Sequence, residues 1–318
     1  MTRMILWPAI ALVVAVAAWI PLSSLAIQDH TRDCSVTVPP AEPLQKAIDD
    51  ATTGSTICLT SGEWEESITI DKSLHLKAAS EAEAIVRPAS HLDGAVIRVA
   101  DAQDITISGL KISGLGKGQT GVLLRSVNRA TLKHTRISDL EIGVDAAPVG
   151  GEKVILHENR VVGKDTGIGI RVLGDTDAEL AANEVVDKAV GAMLAGTGAS
   201  NVTGNTFFSN ITGMVVGSPT PSRVEGNVVR RSTQAGVQIN GQARPSFIEN
   251  EIRANEWGFA LWQRPCFDTD RTFEGTIRGS DNLVTDNVQG PLCPRDHAWP
   301  GGFLRSNAGS SILRTATP

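Results

Sequence analysis

Residues 202–216 read VTGNTFFSNITGMVV and residues 224–239 read VEGNVVRRSTQAGVQI. In each, an asparagine (Asn205, Asn227) stands three places after a valine and two places before an apolar residue (Phe207, Val229), and a glycine (Gly213, Gly236) follows it. Working outward, the phrase returns at Asn159, Asn183 and Asn250, with successive spacings of 24, 22, 22 and 23. Gly167, Gly191 and Gly258 each stand eight places after their asparagine. Thr135 with Gly143 and Leu110 with Gly121 are looser copies. A fixed period of this size means stacked repeats.

Apolar columns hold their places within each copy. One is Leu132, Leu156, Leu180, Val202, Val224, Phe247; a second is Ile137, Val161, Val185, Phe207, Val229, Ile252. Past the glycine, eight-place spacing aligns Val144, Ile168, Ala192, Met214, Val237, Phe259, then Ala146, Ile170, Leu194, Val216, Ile239, Leu261. Within a column pair the neighbours face the other way, the period-two signature of short strands. The repeat is too short for a β-α-β unit and lacks helical periodicity. These facts predict an all-β fold, a single-stranded right-handed parallel β-helix of roughly nine to eleven rungs, stacked about 4.8 Å apart. Asparagine suits the inner corner, since its amide donates and accepts between rungs and tolerates left-handed backbone.

Composition bounds the partners. A net charge of -6 and a pI near 5.6 leave no basic footprint for nucleic acid. Within residues 1–26, Arg3 precedes an apolar run from Ile5 to Ile20, and Ser24 and Ala26 at the end are the small residues a signal peptidase reads. Cleavage after Ala26 gives a secreted or periplasmic protein; an uncleaved segment gives a membrane anchor, the one expected membrane contact. The β-helix with its end caps is expected over 27–299 and a flexible tail over 300–318. Four cysteines permit three pairings, and Cys34–Cys58 with Cys266–Cys293 is expected, one at each end of the solenoid. Their spacing contains no C-x-x-C, so no metal and no cofactor is expected, and the protein is expected to be a monomer.

Leu44, Ala47 and Ile48 share one face of a short helix after Pro43, suited to capping the first rung. Gly54-Ser55-Thr56-Ile57, then Gly62-Glu63-Trp64-Glu65-Glu66, then alternating strands from Ile68 to Leu76 with Lys72 follow. This opening resembles that of the pectin lyase-like right-handed β-helix superfamily, whose members often begin with an amphipathic cap, a "GDTI" strand, a "G-x-Y-x-E" turn and an "I-x-I-x-K-x-L-x-L" strand pair. The resemblance implies the fold. It implies no particular activity, because lyases, hydrolases, esterases, epimerases and non-catalytic accessory proteins share this opening. The aspartate, G-H-G and R-I-K set of polygalacturonases, the D-P-H-D motif of mannuronan epimerases and the blocks of pectin methylesterases are all missing.

Function therefore falls to the outward faces. Eight-place spacing puts Leu123, Asp145, Gly169, Met193, Val215, Gln238 and Ala260 in one outward column, and Arg125, Ala147, Arg171, Ala195, Gly217, Asn240 and Trp262 in the next. Asp145 with Arg125 and Arg171 on flanking rungs is the candidate catalytic set, the arginines neutralising a uronate while the carboxylate abstracts its C5 proton. Trp262 with Gln263, Arg264, Asp268 and Asp270 is a candidate carbohydrate platform on a loop inserted before Asn282. Lys111, Arg136 and Arg160 form a short basic ladder, and His134 and Glu158 share a corner as a pair. Asn201-Val-Thr203 and Asn210-Ile-Thr212 match glycosylation acceptors. The expected partner is an extracytoplasmic polysaccharide. The alternative is an envelope protein docked on the apolar middle of the face, around Met193 and Val215.

Overall fold

The structure, a computed structural model, describes residues 34–79, 82–90, 94–147 and 152–305. Segments 1–33 and 306–318 lie outside it, and with them the proposed export segment and most of the expected tail. The chain winds as a parallel β-helix of about nine turns. Three stacks of strands form its walls. One rung shows the plan: Thr176–Ala181 in the first wall, Glu184–Val186 in the second, Val190–Leu194 in the third. Each strand pairs in parallel with its equivalent one turn on, as Leu180↔Val202, Val185↔Phe207 and Leu194↔Val216.

The apolar columns fill the interior. Leu156, Leu180, Val202, Val224 and Phe247 stack under the first wall with no more than 1% exposure, part of one core that runs from Val38 to Phe303. Burying each contributes about 1.5–3 kcal/mol. Helix Leu44–Asp50 closes the first rung with Leu44 and Ile48, and the Glu66 carboxylate accepts hydrogen bonds from the Leu44 and Gln45 backbone amides at its start. Both expected disulfides form, with Cα atoms 5.7 Å apart in each.

The asparagine column lies inside, as expected, between the first and second walls. Asn183 Oδ1 accepts from Asn159 N at 3.0 Å and Asn159 Nδ2 at 2.9 Å, while Asn183 Nδ2 donates to Leu156 O at 2.8 Å; the pattern repeats through Asn205, Asn227, Asn250 and Asn282. The left-handed backbone belongs to the residue before each asparagine, Glu158 (φ 54°), Ala182 (54°), Gly204 (62°), Gly226 (61°), Glu249 (52°) and Asp281 (60°), and to His134 (53°) before Thr135. His134 Nδ1 and Glu158 Oε2 pair at this corner, 2.8 Å apart.

A second inner ladder was not read from the sequence. It stands five places after the first, between the second and third walls, as Lys188, Asn210, Ser232, Asn255 and Asn287. Lys188 N donates to Asn210 Oδ1 (3.0 Å), Ser232 N to Asn255 Oδ1 (2.8 Å) and Asn255 N to Asn287 Oδ1 (2.9 Å). Asn210 is 1% exposed with its amide bonded to Val185 O, so it is a structural residue and not a sugar acceptor.

Two expectations need correction. The glycines that open the third wall are Gly121, Gly143, Gly169, Gly191, Gly213, Gly236 and Gly258; a Cβ on Gly143, Gly169, Gly191 or Gly213 would lie 2.3–2.6 Å from the next glycine's carbonyl oxygen. Gly169, not Gly167, therefore marks its rung. Two inserted residues slip the eight-place spacing there, and Gly167 (φ 66°) sits in the inserted turn. Consequently Ile170 and Val172 face inward, paired with Val144 and Ala146. Residues 300–305, expected in the tail, also pack onto the last rungs. Phe303 is buried against Phe247 and Phe259, with centroids 6.3 and 5.0 Å away, and Leu304 bridges Asn282.

Candidate functional site

With the register corrected, the outward column of the third wall reads Leu123, Asp145, Arg171, Met193, Val215, Gln238, Ala260. Arg171 thus lies directly beside Asp145. Five steps of about 4.8 Å give the stretch from Asp145 to Ala260 a length of about 24 Å.

The carboxylate at its head is fully engaged. Arg171 donates from Nε to Oδ1 (2.9 Å) and from Nη2 to Oδ2 (2.8 Å), and Arg125 Nη2 donates to Oδ2 at 2.9 Å. Arg125 Nη1 also donates to Leu124 O at 2.8 Å. Asp145 is 2% exposed, whereas both arginines are about one-third exposed. Burial by itself pushes the Asp145 carboxyl up, but hydrogen bonds from Arg171 and Arg125, and then their charges, outweigh it and hold the group below the usual carboxylate range. Hydrogen-bonded in this way, Asp145 is a poor proton acceptor. The cluster sums to one positive charge presented outward on guanidinium edges.

Further along, the face sinks into a groove of about 840 Å³. Val190, Met193, Ile211 and Val215 lie in it beside Thr212, Gln234, Gln238 and Asn240. The polar groups are braced: Thr212 Oγ1 and Gln234 Oε1 are 3.1 Å apart, and Gln238 Nε2 donates to Asn240 Oδ1 at 2.9 Å. Asp270, Arg271, Thr272 and Glu274, from the loop after Trp262, also line it. The apolar middle is thus part of a walled groove, with Val215 only 5% exposed.

The five-residue carbohydrate set divides. Trp262 and Asp270 line the groove. Gln263 instead ties the loop, its Oε1 accepting from Phe273 N at 2.8 Å, and Arg264 pairs with Asp268 (3.1 Å) and Asp270 (3.4 Å) among exposed side chains. Trp262 packs on Phe267 at 4.5 Å, within a small apolar cluster that includes Ala260 and the Cys266–Cys293 disulfide. This plug covers the end of the outward column. Arg271, Thr272 and Glu274 were missed because the loop's path, not its spacing, brings them to the groove.

Among the described residues no group of three or more His, Cys, Asp or Glu side chains is arranged to hold a metal ion, and no helix is long and apolar enough to cross a membrane. A model described as a right-handed beta helix region matches residues 76–271, more than half of the 318. The chain belongs to this family. Solved β-helix structures agree with its pectin lyase-like fold. An alginate lyase from Paenibacillus sp. str. FPU-7 superposes with a TM-score of 0.63 at 16% identity, over 86% of this chain and 100% of that one. Pectate lyase Pel9A gives 0.60 at 12% identity, over 88% and 85%. A mutant of the periplasmic alginate epimerase AlgG gives 0.54 at 14% identity, over 80% of each. No curated protein matches the chain. At these identities the neighbours share this β-helix's fold, and its activity must be argued from the groove.

Proposed function

We propose that this β-helix binds, and takes part in processing, an acidic polysaccharide laid along the third wall. The observation that carries the reading is one continuous face, with outward arginines at one end and a groove ending at Trp262 at the other. Arg171 and Arg125 meet a uronate carboxylate, while Asp145 is their positioning residue and not the base. Amides and hydroxyls from Thr212, Gln234, Gln238 and Asn240 meet sugar hydroxyls, and Trp262 offers an edge for a pyranose. Any proton transfer falls to Asp270 and Glu274, the carboxylates on the groove wall. The neighbours named as alginate lyase, alginate epimerase and pectate lyase support this substrate class. The two disulfides suit an oxidising, extracytoplasmic compartment.

Glycan-array binding of the full chain, followed by titration with uronate and neutral oligosaccharides, tests the reading. Trp262→Ala should weaken every ligand roughly tenfold or more, whereas Arg171→Gln should weaken only uronates. Unchanged uronate affinity in both variants removes this groove as the site. Ultraviolet absorbance from a conjugated product would identify a lyase, and its loss in Asp270→Asn or Glu274→Gln would assign the proton-transfer group. No glycan binding, together with Val215→Arg releasing a co-purified protein, would favour the envelope-protein reading.

A further inference from the structure

The outer face of the second wall holds a charge cluster unrelated to the groove. Phe208 ends strand Thr206–Phe208 and pairs in register with Arg230 of Val228–Arg230 one rung on. Arg230 Cζ lies 4.8 Å from the Phe208 ring centroid and Arg231 Cζ lies 5.3 Å from it. Consecutive residues in a strand point to opposite faces. Both reach one ring because Arg231 takes a left-handed backbone (φ 57°) where the strand ends. On the following rung Arg253, partner of Arg230 in the ladder, is neutralised by Glu251. Among the described residues, Arg230 and Arg231 have no carboxylate partner, and Arg230 Nε is sealed from solvent with no hydrogen-bond acceptor.

The ring face attracts both cations and brings them together despite their repulsion, and the sealed Nε leaves the terminal guanidinium nitrogens as the donors a ligand can reach. What the cluster lacks is an acceptor with negative charge, and two uncompensated guanidiniums call for two charges. Planar guanidinium forks match the oxygen spacing of phosphate and sulfate. We propose that Arg230 and Arg231, held on Phe208, bind a doubly charged tetrahedral oxyanion, phosphate or sulfate, free or as a sugar ester. The ligand sits at the guanidinium edges, away from the ring's negative face.

The test follows arginine Nε–H resonances of the full chain during titration with inorganic phosphate, chloride being varied to hold ionic strength constant. The Arg230 and Arg231 signals should shift together and saturate. Arg230→Gln and Arg231→Gln should each weaken binding at least tenfold, Phe208→Leu should weaken it less, and Trp262→Ala on the third wall should leave it unchanged. A glucose phosphate ester binding tighter than inorganic phosphate names the ester as ligand; the reverse order names the free ion. A shift that grows without saturating, or one that survives both arginine substitutions, overturns the site.

Discussion

Two buried charges show what single residues contribute. Lys188 is 0% exposed; its Nζ donates to Leu140 O (2.5 Å) and Glu141 O (3.3 Å), and its stem fills the space where a Cβ on Gly163 would go. It stands where the second ladder offers asparagine on other rungs, and it reaches across the rung that carries the two-residue insertion. Burial lowers its pKa from 10.5 to about 8, against the pull of Glu141 and Asp139. The folded chain therefore holds this proton more weakly than the unfolded chain. Stability should rise as the pH climbs from about 8 towards 10.5, by on the order of 3 kcal/mol. Urea midpoints across that range should show the rise in the native protein and a flattened profile in Lys188→Met; parallel profiles would mean the amine titrates normally. Asp145 gives a slope of the same sign, at the acid end of the range. Its folded pKa lies below the ordinary value, so its contribution is present above the unfolded pKa and is lost as pH falls through the folded one. Asp145→Asn should cost about 2–3 kcal/mol at neutral pH and blunt the acid limb of the stability curve. A variant as stable as the native chain would show that the arginines do not need their anchor.

At the level of strands and corners, most of the fold was legible because its signals are periodic. Asn159 to Asn250 and the apolar columns recur at the pitch of the helix, so each copy reinforces the reading of the others. The slip at Gly167 shows the limit: spacing cannot distinguish a glycine needed for close backbone approach from one that turns an inserted loop. That slip separated Arg171 from Asp145 in the expected columns. The second ladder was readable in principle, since Asn210, Asn255 and Asn287 each follow a first-ladder asparagine by five places. Lys188 and Ser232 interrupt it, and the sequon at Asn210 offered a competing explanation. The loop residues of the groove had no periodic signal at all. The first ladder also carries an energetic prediction. Asn227 Oδ1 accepts from Asn205 N and Nδ2, while its Nδ2 donates to Val202 O and Asn250 Oδ1. Asn227→Ala strands several buried partners at once, and should cost about 3–5 kcal/mol in denaturant unfolding. A loss below about 1 kcal/mol would mean that water replaces the amide.

Over the whole molecule, a solenoid's rungs depend chiefly on their neighbours, so damage at one end need not reach the other. The two disulfides make this testable, because they serve different ends. Cys34–Cys58 joins the first rungs, far along the helix from the groove. Cys266–Cys293 ties the loop after Trp262 to the strand Gly290–Cys293 and underlies Phe267, on which Trp262 packs. Replacing both cysteines of this second pair with serine should free the groove wall while leaving the rungs intact. Far-UV circular dichroism should be unchanged, limited proteolysis should open between 262 and 276, and affinity for uronate oligosaccharides should fall at least tenfold. The same double replacement at Cys34 and Cys58 should destabilise the first rungs and leave affinity as it was. Equal losses from the two pairs would mean that the solenoid responds as one cooperative body, and that the wall gains nothing specific from its own bridge. A loss confined to Cys266 and Cys293 would tie ligand binding to the loop that Trp262 anchors.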